Sequence, residues 1–449
     1  MPASIRLRPP SRSVTELRPP GSKSLSNRAL LLAAMAEGST TIRGLLDAED
    51  TQVMLHCLTR LGIWYQRERV GQAKVEEGLI VEGTAGRMGG EEAGSRPNLD
   101  VGTAGTVARF LTAALAAAPR PSWALVGIDG SARMRERPMD TLLESLTELG
   151  AGIETVGKPG ALPCRVLAGR GLQGGTLHFD ELASSQFISA LVIAGVWARI
   201  PLRLVMRRGT PAKPYVDMTV AMLERFGGKA AWVEPARGEV GMVLQVEPST
   251  LRAPSNPVLI EPDASAASYL LALPVIWGGR VTVPDLGSGS LQGDAKFFEI
   301  LGRFGAEVEQ SASFTRAGKG QKLRGRDLDL ADMPDMTLTA AVVALFAEGP
   351  TRLRGVGILR HHESDRLAAG ATELRKLGAT VNEHHDGLEI HPPADGPRKG
   401  VAIDTYLDHR MAMAFALVGD VEIRDPDCAK KTYPGYWAAL EQFGMHGRA

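Results

Sequence analysis

Cysteine is scarce in this chain. Cys57, Cys164 and Cys428 are the only three among 449 residues, and they lie far apart with no CxxC pair. That excludes a disulfide framework and a thiolate zinc site, and it fits a reducing compartment. Neither sign of charge is in excess: 51 basic residues balance 51 acidic ones. No global field draws the chain to nucleic acid, so any basic cluster that matters has to be local. Long hydrophobic runs are missing too. The apolar helical segments run about 12–15 residues between charged ends, too short to span a bilayer. The Arg-rich opening "MPASIRLRPPSRSV" leads into no hydrophobic signal core. With 44% hydrophobic and 23% charged residues, the composition is globular. The expectation is a soluble cytoplasmic protein with no membrane and no nucleic-acid partner.

What is present is repetition. Amphipathic runs ending beside a glycine recur as "MLHCLTRLG", "LLESLTELG", "AMLERFG", "EILGRFG", "ATELRKLG" and "AALEQFG", closing at Gly62, Gly150, Gly227, Gly305, Gly378 and Gly444. The apolar spacing of three and four predicts helices, and each terminal glycine predicts a left-handed cap. Six copies at a loose period predict six similar supersecondary units. Each unit holds a second helix, small-residue and apolar almost throughout: "SLSNRALLLAAMAEG", "GTVARFLTAALAAAP", "SSQFISALVIAGVWA", "DASAASYLLALPVIWGG", "DMTLTAAVVALFAEG" and "DHRMAMAFALVGD". Apolar on nearly every face, these belong in an interior, and they open on Ser, Gly-Thr or Asp as helix starts do. Pro274 predicts a kink or an early stop in the fourth. Nine β-branched runs bounded by Gly, Pro or Asp read as strands: "TTIRGLL", "GLIVEG", "WALVGI", "CRVLAG", "RLVMR", "GMVLQVEP", "RVTVPDL", "TRLRGV" and "GLEIHPP". The class is α/β with helices inside. Six units split as three plus three at the Pro/Ser-rich "PSTLRAPSNP" near 250–260.

Polar residues that look out of place gather at the starts of the buried helices, where free backbone N–H groups and partial positive charge favour anions. Lys23 and Arg28 mark the first, Arg109 the second and Arg410 the sixth; loops add Arg133, Arg135, Arg137, Lys213, Arg360, Arg366, Lys430 and Lys431. A guest carrying phosphate or carboxylate groups suits such a set. Among these cations stand Asp335, Glu363, Asp365 and Asp408. A carboxylate so placed stays ionised and orients a hydroxyl, or serves as a base. Asp335 and Asp408 equally suit plain helix capping; Glu363 has no such role and is the better candidate for proton transfer. "PGSKS" lacks the P-loop spacing. "EHHDG" reads as a hairpin turn, and neither His pair has the spacing of two ligands on one helical face.

"PGSKSLSNRALLLAAMAEG", "GTAGTVARF", "RMRERPM", "SSQFISALVIA", "KPYVDMT", "DASAASYLLA", "LQGDAKF", "PDMTLTAAVVALFAEG", "ESDRLAAGATELRKLGA", "DHRMAMAFAL" and "DPDCAKKTYPGY" resemble, in order from Pro19 to Tyr436, the 5-enolpyruvylshikimate-3-phosphate synthase family. The resemblance implies the enolpyruvyl transferase fold, a two-domain inside-out α/β barrel of six βαβαββ repeats. Its domains would be 22–258 and 1–21 plus 259–449, with the active site in the cleft between them. It implies transfer of the enolpyruvyl group of phosphoenolpyruvate to the 5-hydroxyl of shikimate 3-phosphate, releasing phosphate. By resemblance Lys23, Ser24, Arg28, Ser184, Ser185, Tyr215, Asp335 and His362 face shikimate 3-phosphate. Lys23, Gly105, Arg133, Gln186, Arg366, Arg410 and Lys431 face phosphoenolpyruvate. Asp335 would orient or deprotonate the hydroxyl, and Glu363 with Lys23 would protonate the methylene carbon. No metal and no cofactor are implied, and a monomer is expected.

The chain departs from that family's pattern at Thr103 (usually Asn), at Ala212 (usually Ser before "KPY"), and at Ile358 and His362 (Asn and Lys in well-known members). A neutral His362 in place of a lysine would weaken phosphate-ester binding as pH rises through about 6–7. Two other readings share the architecture. The sister transferase acting on UDP-N-acetylglucosamine usually has a cysteine in the loop that here reads "GSARMRERPM", without one. A non-catalytic anion-binding descendant would fit the changes at Ala212 and His362.

Overall fold

The six Leu-Gly and Phe-Gly endings are helix stops. In the computed structural model, which describes residues 4–69, 77–88, 96–119, 123–167 and 171–445, all six of those glycines take positive φ, from 72° at Gly444 to 116° at Gly305. Only a residue without a Cβ adopts that conformation at no steric cost, so the sequence terminates each helix where the chain must turn back.

Six further helices are buried: Lys23–Met35, Gly105–Ala117, Ser185–Gly195, Ala264–Trp277, Thr337–Ala344 and His409–Ala416. Their Ala, Ser and Gly positions let them pack on one another, Gly105–Ala117 against Ser185–Gly195 and Thr337–Ala344 against both Ala264–Trp277 and His409–Ala416. Four start on a side-chain cap, from Ser22, Ser184, Asp263 and Asp408. Asp335 is not a cap: it sits in a 3₁₀ turn, Pro334–Met336, ahead of the fifth helix. Pro274 does not stop the fourth helix, which continues to Trp277.

All nine predicted strand runs form strands, and "EHHDG" joins Thr380–His384 to Gly387–His391 as a hairpin with His384 opposite Gly387. One order recurs. Asn98–Asp100 lies parallel to Leu125–Asp129, which pairs antiparallel with Cys164–Leu167, which pairs antiparallel with Gly152–Thr155. Gly175–Phe179, Leu202–Met206, Met242–Glu247 and Lys229–Val233 repeat it, as do Asp327–Asp329, Thr351–Arg354, Gly387–His391 and Thr380–His384. Among the described residues there are six separate sheets of three or four strands. No sheet closes on itself, so the expected barrel is a set of open sheets over buried helices.

The chain divides into two compact units, 21–260 and 1–20 with 261–449. Each is completed by a distant piece of its own chain. Val258–Leu259 takes the first place in the opening sheet of 21–260, parallel to Glu37–Arg43. In the other unit Ser4–Arg6 pairs antiparallel with Val421–Arg424, and Glu16 bridges to Thr282. No helix among the described residues is long and apolar enough to cross a membrane.

Candidate active site

In the unit holding 261–449, four short elements deliver side chains to one network. Asp365 caps the helix Arg366–Lys376 by accepting from the N–H groups of Leu367 and Ala368, which sets Arg366 at the helix start. Asp408 caps His409–Ala416 and fixes Arg410. The Pro334–Met336 turn carries Asp335, and a second 3₁₀ segment, Pro426–Lys431, ends on Lys431.

Arg366, 2% exposed, is the hub. Its Nε donates to Asp408 Oδ2 at 2.8 Å and its Nη2 to Asp408 Oδ1 at 3.1 Å. The same Nη2 reaches Glu363 Oε2 at 2.9 Å, while Nη1 donates to Asp335 Oδ1 and to His362 Nδ1, both at 2.9 Å. Arg410 Nη2 closes on the other oxygen of Asp335 at 2.6 Å, and Lys431 Nζ on Glu363 Oε1 at 3.0 Å. Ser364 Oγ donates to Asp408 Oδ2 at 2.9 Å. Burial opposes ionisation of Asp335, but Arg410, Arg366 and His362 outweigh it and hold the carboxyl well below the usual carboxylate range. Burial likewise works against the charge on Arg366, and Asp408, Glu363 and Asp335 reverse that, raising it above its ordinary value.

Three cations (Arg366, Arg410, Lys431) thus meet three carboxylates (Asp335, Glu363, Asp408). The formal charge of this network is zero, so the expected surplus of positive charge is not found here. An anion arriving at it must exchange with a carboxylate already in place.

Residues 21–260 hold a different arrangement. Arg28 is buried, and it bonds neutral acceptors: Thr219 Oγ1 at 2.8 Å, the carbonyls of Ser24 and Tyr215 at 2.9 Å, and Ser189 Oγ at 3.4 Å. Its guanidinium stacks 5.0 Å from the Phe110 ring centroid. Burial lowers it to about 10, so it stays charged at neutral pH. Lys23 pairs with Asp50 at 3.3 Å. Arg109 donates to the Gly105 carbonyl and to Gln186 Oε1, both at 3.1 Å, which ties the second buried helix to the third. Ser184 caps that third helix through the Gln186 N–H, and Ser185 is its first residue. Arg133 stands apart: 40% exposed, it pairs with Glu136 at 3.0 Å. Ala212 lies at φ 48° and gives the helix Lys213–Arg225 no side-chain cap.

Most residues expected from the sequence therefore fall into two groups: Asp335, His362, Glu363, Arg366, Arg410 and Lys431 in one unit, and Lys23, Ser24, Arg28, Gly105, Ser184, Ser185, Gln186 and Tyr215 in the other. Sequence reasoning missed Asp50 as the partner of Lys23, and it missed Asp408 as the brace of Arg366. Nothing local marks Asp50. For Asp408 the signal was present and was spent on its capping role, which it also performs.

The sequence matches the EPSP synthase (3-phosphoshikimate 1-carboxyvinyltransferase) family over residues 7–440. A 3-phosphoshikimate 1-carboxyvinyltransferase of Shewanella loihica is 41% identical over 442 residues, covering 97% of this chain and 98% of its own. The chloroplastic enzyme of Petunia hybrida is 39% identical, covering 99% of this chain and 86% of its own. The fold is that of an EPSP synthase from Acinetobacter baumannii (TM-score 0.76, 22% identity, 99% of this chain and 98% of that one). It is equally that of the enolpyruvyl transferase NikO from Streptomyces tendae (TM-score 0.76, 17% identity, 98% and 97%). With a family match over nearly its whole length and relatives near 40% identity, the chain belongs to the EPSP synthase family.

Proposed function

We propose that this protein transfers the enolpyruvyl group of phosphoenolpyruvate to the 5-hydroxyl of shikimate 3-phosphate and releases phosphate. The observation that carries the reading is the network in which Arg366 holds Asp335 and Glu363 at 2.9 Å each, with Arg410 and Lys431 on their far oxygens. Two carboxylates so close to three cations suit a reaction that takes a proton from a hydroxyl and gives one to a carbon. Asp335, held ionised by its neighbours, is fit to orient the hydroxyl by accepting its hydrogen bond, and it becomes a stronger base for the hydroxyl proton once substrate anions draw Arg366 and Arg410 away. Glu363 has to arrive at the methylene carbon with a proton. Its contacts to Arg366 and Lys431 favour the bare carboxylate, so a substrate anion that draws those cations away favours the protonated form. Substrate binding and proton delivery are coupled in this way. The tetrahedral intermediate then expels phosphate, whose charge fixed cations stabilise.

In this reading Lys23, Ser24, Arg28, Ser184, Ser185, Tyr215, Asp335 and His362 face shikimate 3-phosphate. Lys23, shared between the substrates, and Gly105, Arg133, Gln186, Arg366, Arg410 and Lys431 take phosphoenolpyruvate. The chain works as a cytoplasmic monomer and is a glyphosate target. The sister reaction on UDP-N-acetylglucosamine is disfavoured by the cysteines: burial pushes the thiols of Cys57, Cys164 and Cys428 up to about 12, so none is a ready nucleophile or acid at neutral pH. The test is phosphate release from phosphoenolpyruvate with shikimate 3-phosphate, run beside UDP-N-acetylglucosamine. Release with the first acceptor alone is expected, and Glu363→Gln should abolish it while leaving substrate binding largely intact. Release only with the second acceptor overturns the proposal.

A further inference from the structure

The run "RMRER" places three arginines within five residues, and they meet different fates. Arg135 forms two hydrogen bonds with Asp129, at 2.8 and 2.6 Å. Arg133 pairs with Glu136. Arg137 is 6% exposed, and its Nε is buried with no hydrogen-bond partner. No carboxylate among the described residues forms an ion pair with it. A buried guanidinium without a counter-charge is costly, and an anion that completes it recovers that cost.

Where Arg137 points gives the second observation. A Cβ built on Gly105 would lie 2.5 Å from Arg137 Nη1 and 2.7 Å from Arg109 Nη1. Two guanidinium ends therefore converge on the first residue of the 13-residue helix Gly105–Ala117, whose cap position, Ala104, supplies no side-chain hydrogen bond. The first-turn N–H groups of a helix favour an anion at that spot, and two like charges held so close together favour one further. The arrangement is built rather than incidental. Arg109 is anchored by Gly105 O, Gln186 Oε1 and Pro138 O. The segment carrying Arg137 is pinned by the Ser131 N–H, which donates to Gly102 O at 2.9 Å, and by Ser131 Oγ, which accepts from the Met134 N–H at 3.2 Å. Gly130 makes that contact possible, since a Cβ there would lie 2.7 Å from Gly102 O.

We propose that Arg137 is a phosphate-binding residue: its guanidinium, beside that of Arg109 over the first turn of Gly105–Ala117, takes the phosphate of phosphoenolpyruvate and holds it as it leaves. This rests on the reaction proposed above and adds to it a residue that family resemblance did not supply. Arg133, by contrast, pairs with Glu136 at 3.0 Å and keeps 40% of its side chain exposed.

The test compares wild type, Arg137→Gln and Arg137→Lys in steady-state phosphate release. It adds inhibition by inorganic phosphate and the thermal midpoint with and without inorganic phosphate. Arg137→Gln is expected to raise KM for phosphoenolpyruvate about 10–100-fold and to weaken phosphate inhibition to match, the range of one charge-assisted contact. KM for shikimate 3-phosphate and the phosphate-free midpoint should stay near wild type, which a purely structural arginine would not allow. Arg137→Lys keeps the charge without the fork and should fall between. A folded Arg137→Gln with wild-type KM for phosphoenolpyruvate overturns the proposal; if that variant does not fold, an unchanged KM in Arg137→Lys does so. A wild type that releases no phosphate, yet is stabilised by inorganic phosphate only while Arg137 is present, sinks the proposed reaction and leaves the anion site standing.

Discussion

Asp335 shows how a residue's surroundings set its chemistry. One oxygen faces Arg366 and the other Arg410, and the side chain keeps 16% of its surface exposed. Its folded pKa lies below the unfolded value of about 3.9. The unfolded chain therefore binds the proton first as pH falls, and the stability that Asp335 contributes is full above the unfolded pKa and lost as pH drops through the folded one. The stability difference between wild type and Asp335→Asn, from urea midpoints, should be constant from pH 8 to pH 5. Below about pH 4 it should shrink. A difference that grows on acidification would contradict this account. The sequence could mark Asp335 only as an acid near cations, because its two partners come from "ESDR" and "DHR", 31 and 75 positions away. Asp408 was legible as a cap for the opposite reason, that a cap acts within two residues. Its grip on Arg366, 42 positions off, depends on tertiary packing.

At the scale of elements, local chemistry was strong enough to be read directly. Glycine stops, β-branched runs and the "EHHDG" turn are short-range signals, and the structure uses them as the sequence suggests. Three-residue strands such as Asn98–Asp100 and Asp327–Asp329 escaped, since so short a segment shows no alternation and is held by its neighbours. Packing between elements was also out of reach, and Gly21 makes the point. A Cβ there would lie 1.9 Å from Gly44 O and 3.2 Å from Leu46 N, both backbone atoms that cannot swing aside. The start of the first buried helix, with its Ser22 cap and Lys23, is seated by that contact. Gly21→Ala is expected to cost about 1–3 kcal/mol, as overpacking does, and to lower activity by displacing Lys23. Urea unfolding checks the first effect and the phosphate-release rate the second. A variant of wild-type stability would show that the turn at Gly44 yields.

At the scale of the molecule, the repeat is three-fold in each unit, but the chain enters and leaves each one part-way through a repeat. The first sheet of 21–260 lacks its leading strand until Val258–Leu259 arrives, some 215 residues after the strand Glu37–Arg43 that it joins. Val258 and Ile260 are both buried there, and the Ile260 N–H donates to Arg43 O at 2.8 Å. Residues 21–260 therefore carry everything their three sheets need, and a fragment of that extent should unfold cooperatively in urea. A fragment of 21–256 exposes the edge of Glu37–Arg43 and loses the burial of Val258 and Ile260. Those two side chains contribute about 3–5 kcal/mol together, a large share of what a domain of this size has in hand. The shorter fragment should accordingly unfold at a clearly lower urea concentration, or fail to fold. Equal midpoints for the two fragments would mean that Val258–Leu259 lies on the sheet without holding it. A longer fragment that does not fold would mean that the unit depends on the rest of the chain.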